Sequence, residues 1–109
     1  MRSDLPVLPA PRLELAPPDV SRAVAAAALL VDPIRAGILR MLADGPHCVC
    51  EMAAALRARA NTVSNHLAKL RDAGLVRASR HAAKGRFQYY ERDRDAVARA
   101  QRALDEVLG

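Results

Sequence analysis

The chain reads as a mainly α fold with one small β-hairpin, in the order helix-helix-helix-helix-strand-strand-helix. Three observations carry this reading. Apolar residues recur at three- and four-residue intervals through most of the stretch from Val20 to Leu108. One segment, Phe87-Gln88-Tyr89-Tyr90, instead concentrates β-favouring residues. Finally, the 109 residues are 51% hydrophobic but only 3% aromatic, with no Trp. The core must therefore be built from Ala, Leu and Val, which suits close helix packing better than a β-sandwich. A chain of this length forms one domain with a modest core.

Residues 1–17 hold four of the seven prolines and no regular apolar period, so they are expected to form an extended or disordered arm. Residues 18–109 form the domain. Pro18-Asp19 starts the first helix, and Val20, Val24, Ala27, Ala28 and Val31 follow at helical spacing. Asp32-Pro33 ends it and opens the second, with Asp32 as N-cap and Pro33 at the first helical position. Ile34, Ile38, Leu39 and Leu42 form the second helix's buried stripe, and Asp44-Gly45-Pro46 stops it.

A short third helix is expected from about Cys48 to Ala58, with Val49, Met52, Ala53 and Leu56 on one face. The fourth should run from about Asn61 to Ala73, burying Val63, Leu67 and Leu70 and ending at Gly74. Strands at roughly Leu75–Arg80 and Arg86–Glu91 follow, joined by His81 to Gly85. A last helix from about Asp93 to Leu108 carries Val97, Ala100, Leu104 and Leu108 on one side. This is the order of a winged helix-turn-helix.

Charge is distributed to match. The net charge is +5, but residues 57–86 alone carry eight basic residues against one acidic one, Asp72. Such a segment favours a polyanion. With Val63 at the centre of the fourth helix's buried face, Asn61 and Asn65 fall on the far side, and Thr62, Ser64 and Lys69 on the flanks. Small polar side chains in the first two turns are what a reader of the DNA major groove needs. His66 lies nearer the buried edge, as a packing residue or a phosphate contact. Arg77, Arg80, Lys84 and Arg86 are the expected backbone contacts of the wing. No signal peptide, long apolar run or lipidation motif occurs, so the expected setting is cytoplasmic, with no membrane partner. No base is paired with a nucleophile, and Cys-x-x-Cys spacing is absent, which argues against an enzyme.

The stretches Asp32-Pro33-Ile34-Arg35, His47-Cys48-Val49-Cys50-Glu51, Thr62 through Val76, and Gly85-Arg86-Phe87-Gln88-Tyr89-Tyr90 together resemble the ArsR/SmtB family of metalloregulatory repressors. The resemblance covers residues 18 to 108. It implies a homodimer built on the first and last helices, bound to an imperfect palindromic operator in duplex DNA and leaving it when inducer binds. It also implies that Cys48 and Cys50 are the inducer site of the arsenic- and cadmium-sensing branches. The chain has no third cysteine, and residues 93–109 contain no His, so the zinc site of other members looks absent. Arg59 stands where the family commonly caps the recognition helix with Ser, so Asn61 becomes a candidate cap for a later start.

Thiolates select soft ions. Arsenite or antimonite would take both thiols and complete its shell with hydroxide or a small thiol. Cd²⁺, Pb²⁺ or Zn²⁺ would want further donors, for which His47, Glu51 and His81 are the candidates, His47 first. No organic cofactor is implied. A redox-responsive regulator using the same thiols is the alternative of another kind, although a disulfide across one residue closes a small, strained ring. On a regular helix, residues i and i+2 point about 200° apart. One ion can therefore join both sulfurs only if Cys48 is an N-cap residue outside the helix, or if the first turn unwinds. The helix N-terminus is also expected to favour thiolate over thiol.

Overall fold

A computed structural model describes residues 18–84 and 87–109, with side chains from residue 20 to 80 and from 87 onward. The expected arm, 1–17, lies outside the described residues, as do Gly85, Arg86 and the side chains of His81 and Lys84.

Five helices and three strands follow one another: α1 Pro18–Leu30, α2 Pro33–Leu42, β1 His47–Cys48, α3 Val49–Leu56, α4 Ala60–Asp72, β2 Val76–Lys84, β3 Phe87–Arg92 and α5 Arg94–Leu108. Asp32 caps α2 as expected: its Oδ1 accepts from the amides of Ile34 (2.7 Å) and Arg35 (3.2 Å). Asp93 does the same for α5, accepting from the Ala96 amide at 2.9 Å. Both caps satisfy helix amides that would otherwise lack a partner.

The core gathers Ile38, Leu39 and Leu42 of α2, Met52 of α3, Val63, Leu67 and Leu70 of α4, and Leu75 and Val76 at the start of the hairpin. Ile38, Met52, Val63 and Leu70 are fully enclosed, and truncating any of the larger ones to Ala would cost about 2–5 kcal/mol. The core clamps α3 and α4 through these residues and so holds the recognition helix against the domain. Helices α1 and α5 pack on each other at the side of this core. The buried positions are Ala23, Ala26 and Ala103, whereas Val24 is 41% and Val31 79% exposed. Small side chains let the two helix axes approach, and the valines turn outward.

The sheet is larger than a hairpin. β1 pairs antiparallel with β3 (His47 opposite Tyr90, Cys48 opposite Tyr89), giving the strand order β1-β3-β2. β2 also runs on to Lys84, past the expected end at Arg80, with a register irregularity between Ala78 and Ala83.

Candidate nucleic-acid interface and thiol site

The turn between α3 and α4 is closed by Arg57 at φ 53°, ψ 45°, a left-handed position usually given to glycine. The Ala58 amide bonds back to the Ala53 carbonyl at 3.0 Å. Helix α4 then begins at Ala60, so Asn61 sits inside its first turn and does not cap it. Arg59 occupies the cap position with no side-chain hydrogen bond. Val63, Leu67 and Leu70 face inward, and Asn61, Ser64, Asn65 and Lys69 are exposed, with Thr62 half-buried. The expected reading face is thus presented outward from a helix held on its apolar side.

Two expected DNA contacts are engaged within the protein. The Arg77 guanidinium bonds Glu91 through Nε (2.9 Å) and Nη2 (2.8 Å), and reaches Asp93 through Nη1 at 2.9 Å. Its opposite number across the strands is Glu91, so the pairing follows from register, and two carboxylates already neutralise the charge meant for a phosphate. His66 turns inward. Its Nδ1 lies 3.1 Å from Arg35 Nη1 and its Nε2 3.7 Å from Asp32 Oδ2. Arg80 remains exposed on β2. Lys84 and Arg86 fall outside the side chains described. Arg71, absent from the sequence reading, covers the Tyr90 ring at 5.6 Å and ties α4 to the wing. No spacing rule connects residues so far apart in the chain.

The thiol pair stands at the junction of the sheet and α3. Cys48 is the N-cap residue, extended at φ −93°, ψ 166°, while Cys50 lies within the first turn. Cys48 thus leaves the helix path, the condition under which residues two apart can face one ligand. Cys48 is 3% exposed and Cys50 is open to solvent. Glu51 reaches back so that its Oε1 accepts from the Cys48 amide at 3.0 Å, and the same oxygen lies 3.4 Å from His47 Nδ1. The Cys48 amide, then His47, hold the Glu51 carboxyl below its usual range against the effect of burial.

The thiolate expectation is corrected here. Burial first, then a hydrogen bond with the Cys50 thiol, pushes the Cys48 thiol up, and the Glu51 amide only partly offsets this. Desolvation outweighs the helix N-terminus because Cys48, the last residue of β1, is almost fully buried. Tyr89, opposite Cys48, is likewise raised by burial and by the neighbouring Glu51 and thiols. Both cysteines are free, and among the described residues no group of three or more His, Cys, Asp or Glu is arranged to hold a metal ion.

A recognition helix on a helix-turn-helix beside a β-hairpin defines a winged helix-turn-helix DNA-binding regulator. Residues 32–78 match the family described as "Bacterial regulatory protein, arsR family". The chain is 35% identical over 77 residues to the uncharacterized HTH-type transcriptional regulator MJ1325 of Methanocaldococcus jannaschii, covering 70% of this chain and 83% of that protein. It is 33% identical over 80 residues to the arsenical resistance operon repressor of Escherichia coli K12, covering 72% of this chain and 66% of the repressor. Its fold overlays the homodimeric winged helix-turn-helix DNA-binding domain of Mycobacterium bovis Mb0332 with a TM-score of 0.60, at 32% identity, covering 83% of this chain and 77% of that one. The chain belongs to the ArsR family of bacterial regulatory proteins. Its relatives are transcriptional regulators and not enzymes, and no helix among the described residues is long and apolar enough to cross a membrane.

Proposed function

We propose that this chain is a metalloid-responsive transcriptional repressor of the cytoplasm, which binds operator DNA as a homodimer and leaves it when arsenite or antimonite joins Cys48 and Cys50. The observation that carries the reading is the N-cap position of Cys48 beside the Cys50 thiol, a two-sulfur site at the foot of the helix that supports α4. The relative in Escherichia coli, an arsenical resistance operon repressor, supports the same ligand class. Readout would fall to Asn61, Thr62, Ser64 and Asn65, and phosphate contact to Lys69, Arg80, Lys84 and Arg86. The homodimer of the Mycobacterium bovis neighbour supports self-association, and the outward valines of α1 offer a seam for it.

The raised Cys48 thiol favours a metalloid over a divalent cation. Arsenite arrives as neutral As(OH)₃; two thiols condense with it to give a dithiolate As–OH, and each thiol proton leaves with one hydroxide as water. A divalent cation must instead expel both protons into solvent, and it lacks a third protein donor among the described residues. Cadmium or lead is therefore the weaker reading. Ultraviolet titration of the reduced protein tests this: one arsenite per chain should give a sulfur-to-arsenic absorption that varies little from pH 6 to 8. Cd²⁺ affinity should fall steeply as pH drops. Stronger Cd²⁺ than arsenite binding at pH 6 would reverse the assignment.

A further inference from the structure

Apolar packing holds α4 against the core but is non-directional. Val63, Leu67 and Leu70 resist withdrawal of the helix, yet they fix its rotation and sliding poorly. Base readout is directional, and hydrogen bonds weaken steeply when misaligned. A directional polar contact can hold the angle at which Asn61, Ser64 and Asn65 are presented more sharply than packing alone.

His66 occupies the place for such a device. It projects from the middle of α4 into the α1–α2 junction, where its side chain is only 18% exposed. Arg35 there is itself held, its Nε donating to the Leu29 carbonyl at 2.7 Å, while its Nη1 lies 3.1 Å from His66 Nδ1. A guanidinium has no acceptor, so His66 Nδ1 accepts and the ring proton sits on Nε2, facing Asp32 Oδ2 at 3.7 Å. Asp32 is immobilised in turn by capping α2 through its other oxygen. The ring is thus held through Nδ1, with Nε2 turned toward Asp32, by groups on the far side of the helix from DNA.

We infer that His66 is a positioning residue: with Arg35 and Asp32 it locks the rotation of the recognition helix, so that it governs sequence discrimination without touching DNA. This rests on the DNA-binding reading above and adds a role which that reading does not require. Its consequence is specific. Loss of the lock should cost the preference for the right sequence and spare the electrostatic attraction to any duplex.

The test compares the parent with His66→Ala, His66→Asn and Arg35→Met on two equal-length probes, the duplex upstream of the protein's own coding sequence and a random duplex, across a salt series. Arg35→Met keeps the apolar stem and removes the guanidinium, with its bonds to His66 and to the Leu29 carbonyl. The expected result is that His66→Ala and Arg35→Met each reduce the promoter-over-random ratio about tenfold, the size of one lost hydrogen bond to a charged group. Random-duplex affinity and salt slope should stay as in the parent. The double variant should be no worse than either single one. His66→Asn, whose Oδ1 can replace Nδ1 as acceptor, should recover most of the ratio. Equal weakening on both probes with a shallower salt slope in His66→Ala would identify a phosphate contact and overturn the inference. An unchanged ratio in Arg35→Met would overturn it equally, and that variant decides the matter should His66→Ala fail to fold. A parent without promoter preference would instead sink the DNA-reading itself, which the first arm reports separately.

Discussion

Arg77 and Arg80 stand three residues apart on the same strand and carry the same charge, yet they should behave oppositely when removed. The Arg77 fork on Glu91 has side chains 55% and 21% exposed, so its contribution to stability must be discounted for solvent and comes to about 0.5–1 kcal/mol. In a domain of this size that corresponds to a melting temperature lower by about 2–8 °C. With two carboxylates on it, Arg77 displaces few counterions from DNA, and Arg77→Ala should leave the slope of log K against log[salt] unchanged. Arg80 is exposed and has no ion pair among the described residues. Arg80→Ala should therefore hold its melting temperature and make the slope shallower by about 0.9 per subunit, roughly 1.8 for a dimer. Thermal melts at one protein concentration, with fluorescence anisotropy on the promoter duplex at five salt concentrations, read both quantities. A slope change in Arg77→Ala as large as that in Arg80→Ala would refute the reasoning, because it would mean the pairs open at the DNA surface.

Val24→Asp places a charge on the outward face of α1 at little cost to the folded chain, and sedimentation should find monomers with much weaker promoter binding if that face is the dimer seam. Arg57→Gly relieves a left-handed residue and should raise stability by about 0.5–1 kcal/mol in a thermal melt. The Asp93 carboxyl is held below its usual range, first by the Ala96 amide and also by Arg77. Its contribution is present above the ordinary carboxylate pKa and is lost as pH falls through the lowered value. Asp93→Asn, which keeps a capping oxygen, should therefore lose less stability than the parent between pH 6 and pH 3. At the other extreme, the raised Cys48 thiol contributes stability that is present below the unfolded thiol pKa and lost as pH climbs through the folded value, a loss that Cys48→Ser should lack.

The helices were legible in the sequence because their signals are local. Asp32-Pro33 marks the start of α2 by capping chemistry, and the Val63, Leu67, Leu70 spacing marks the inner face of α4. The possibility that Cys48 caps α3 was likewise readable from the two-residue spacing of the thiols. What escaped depends on partners distant in the chain. β1 is two residues long, too short for any periodicity, and exists only because Tyr89 and Tyr90 pair with it. The commitment of Arg77 depends on strand register, and the partner of His66, whose place near the buried edge was readable, is an arginine 31 residues earlier. On α1 the sequence marks an apolar stripe but not the contact with α5, where packing selects Ala23 and Ala26 because small side chains let α5 come close. The raised Cys48 thiol escapes the sequence because the helix end is visible there and the burial of the short strand before it is not.

The central claim is that Cys48 and Cys50 form the inducer site without contributing to DNA binding. Its most direct test is arsenite-driven release of the promoter duplex by the reduced parent, Cys48→Ser and Cys50→Ser proteins. The account predicts equal promoter affinity for all three before arsenite. On addition the parent should lose about five- to 150-fold in affinity, a coupling of about 1–3 kcal/mol, while both variants stay bound. Normal release by either single variant would contradict it and move the inducer site elsewhere.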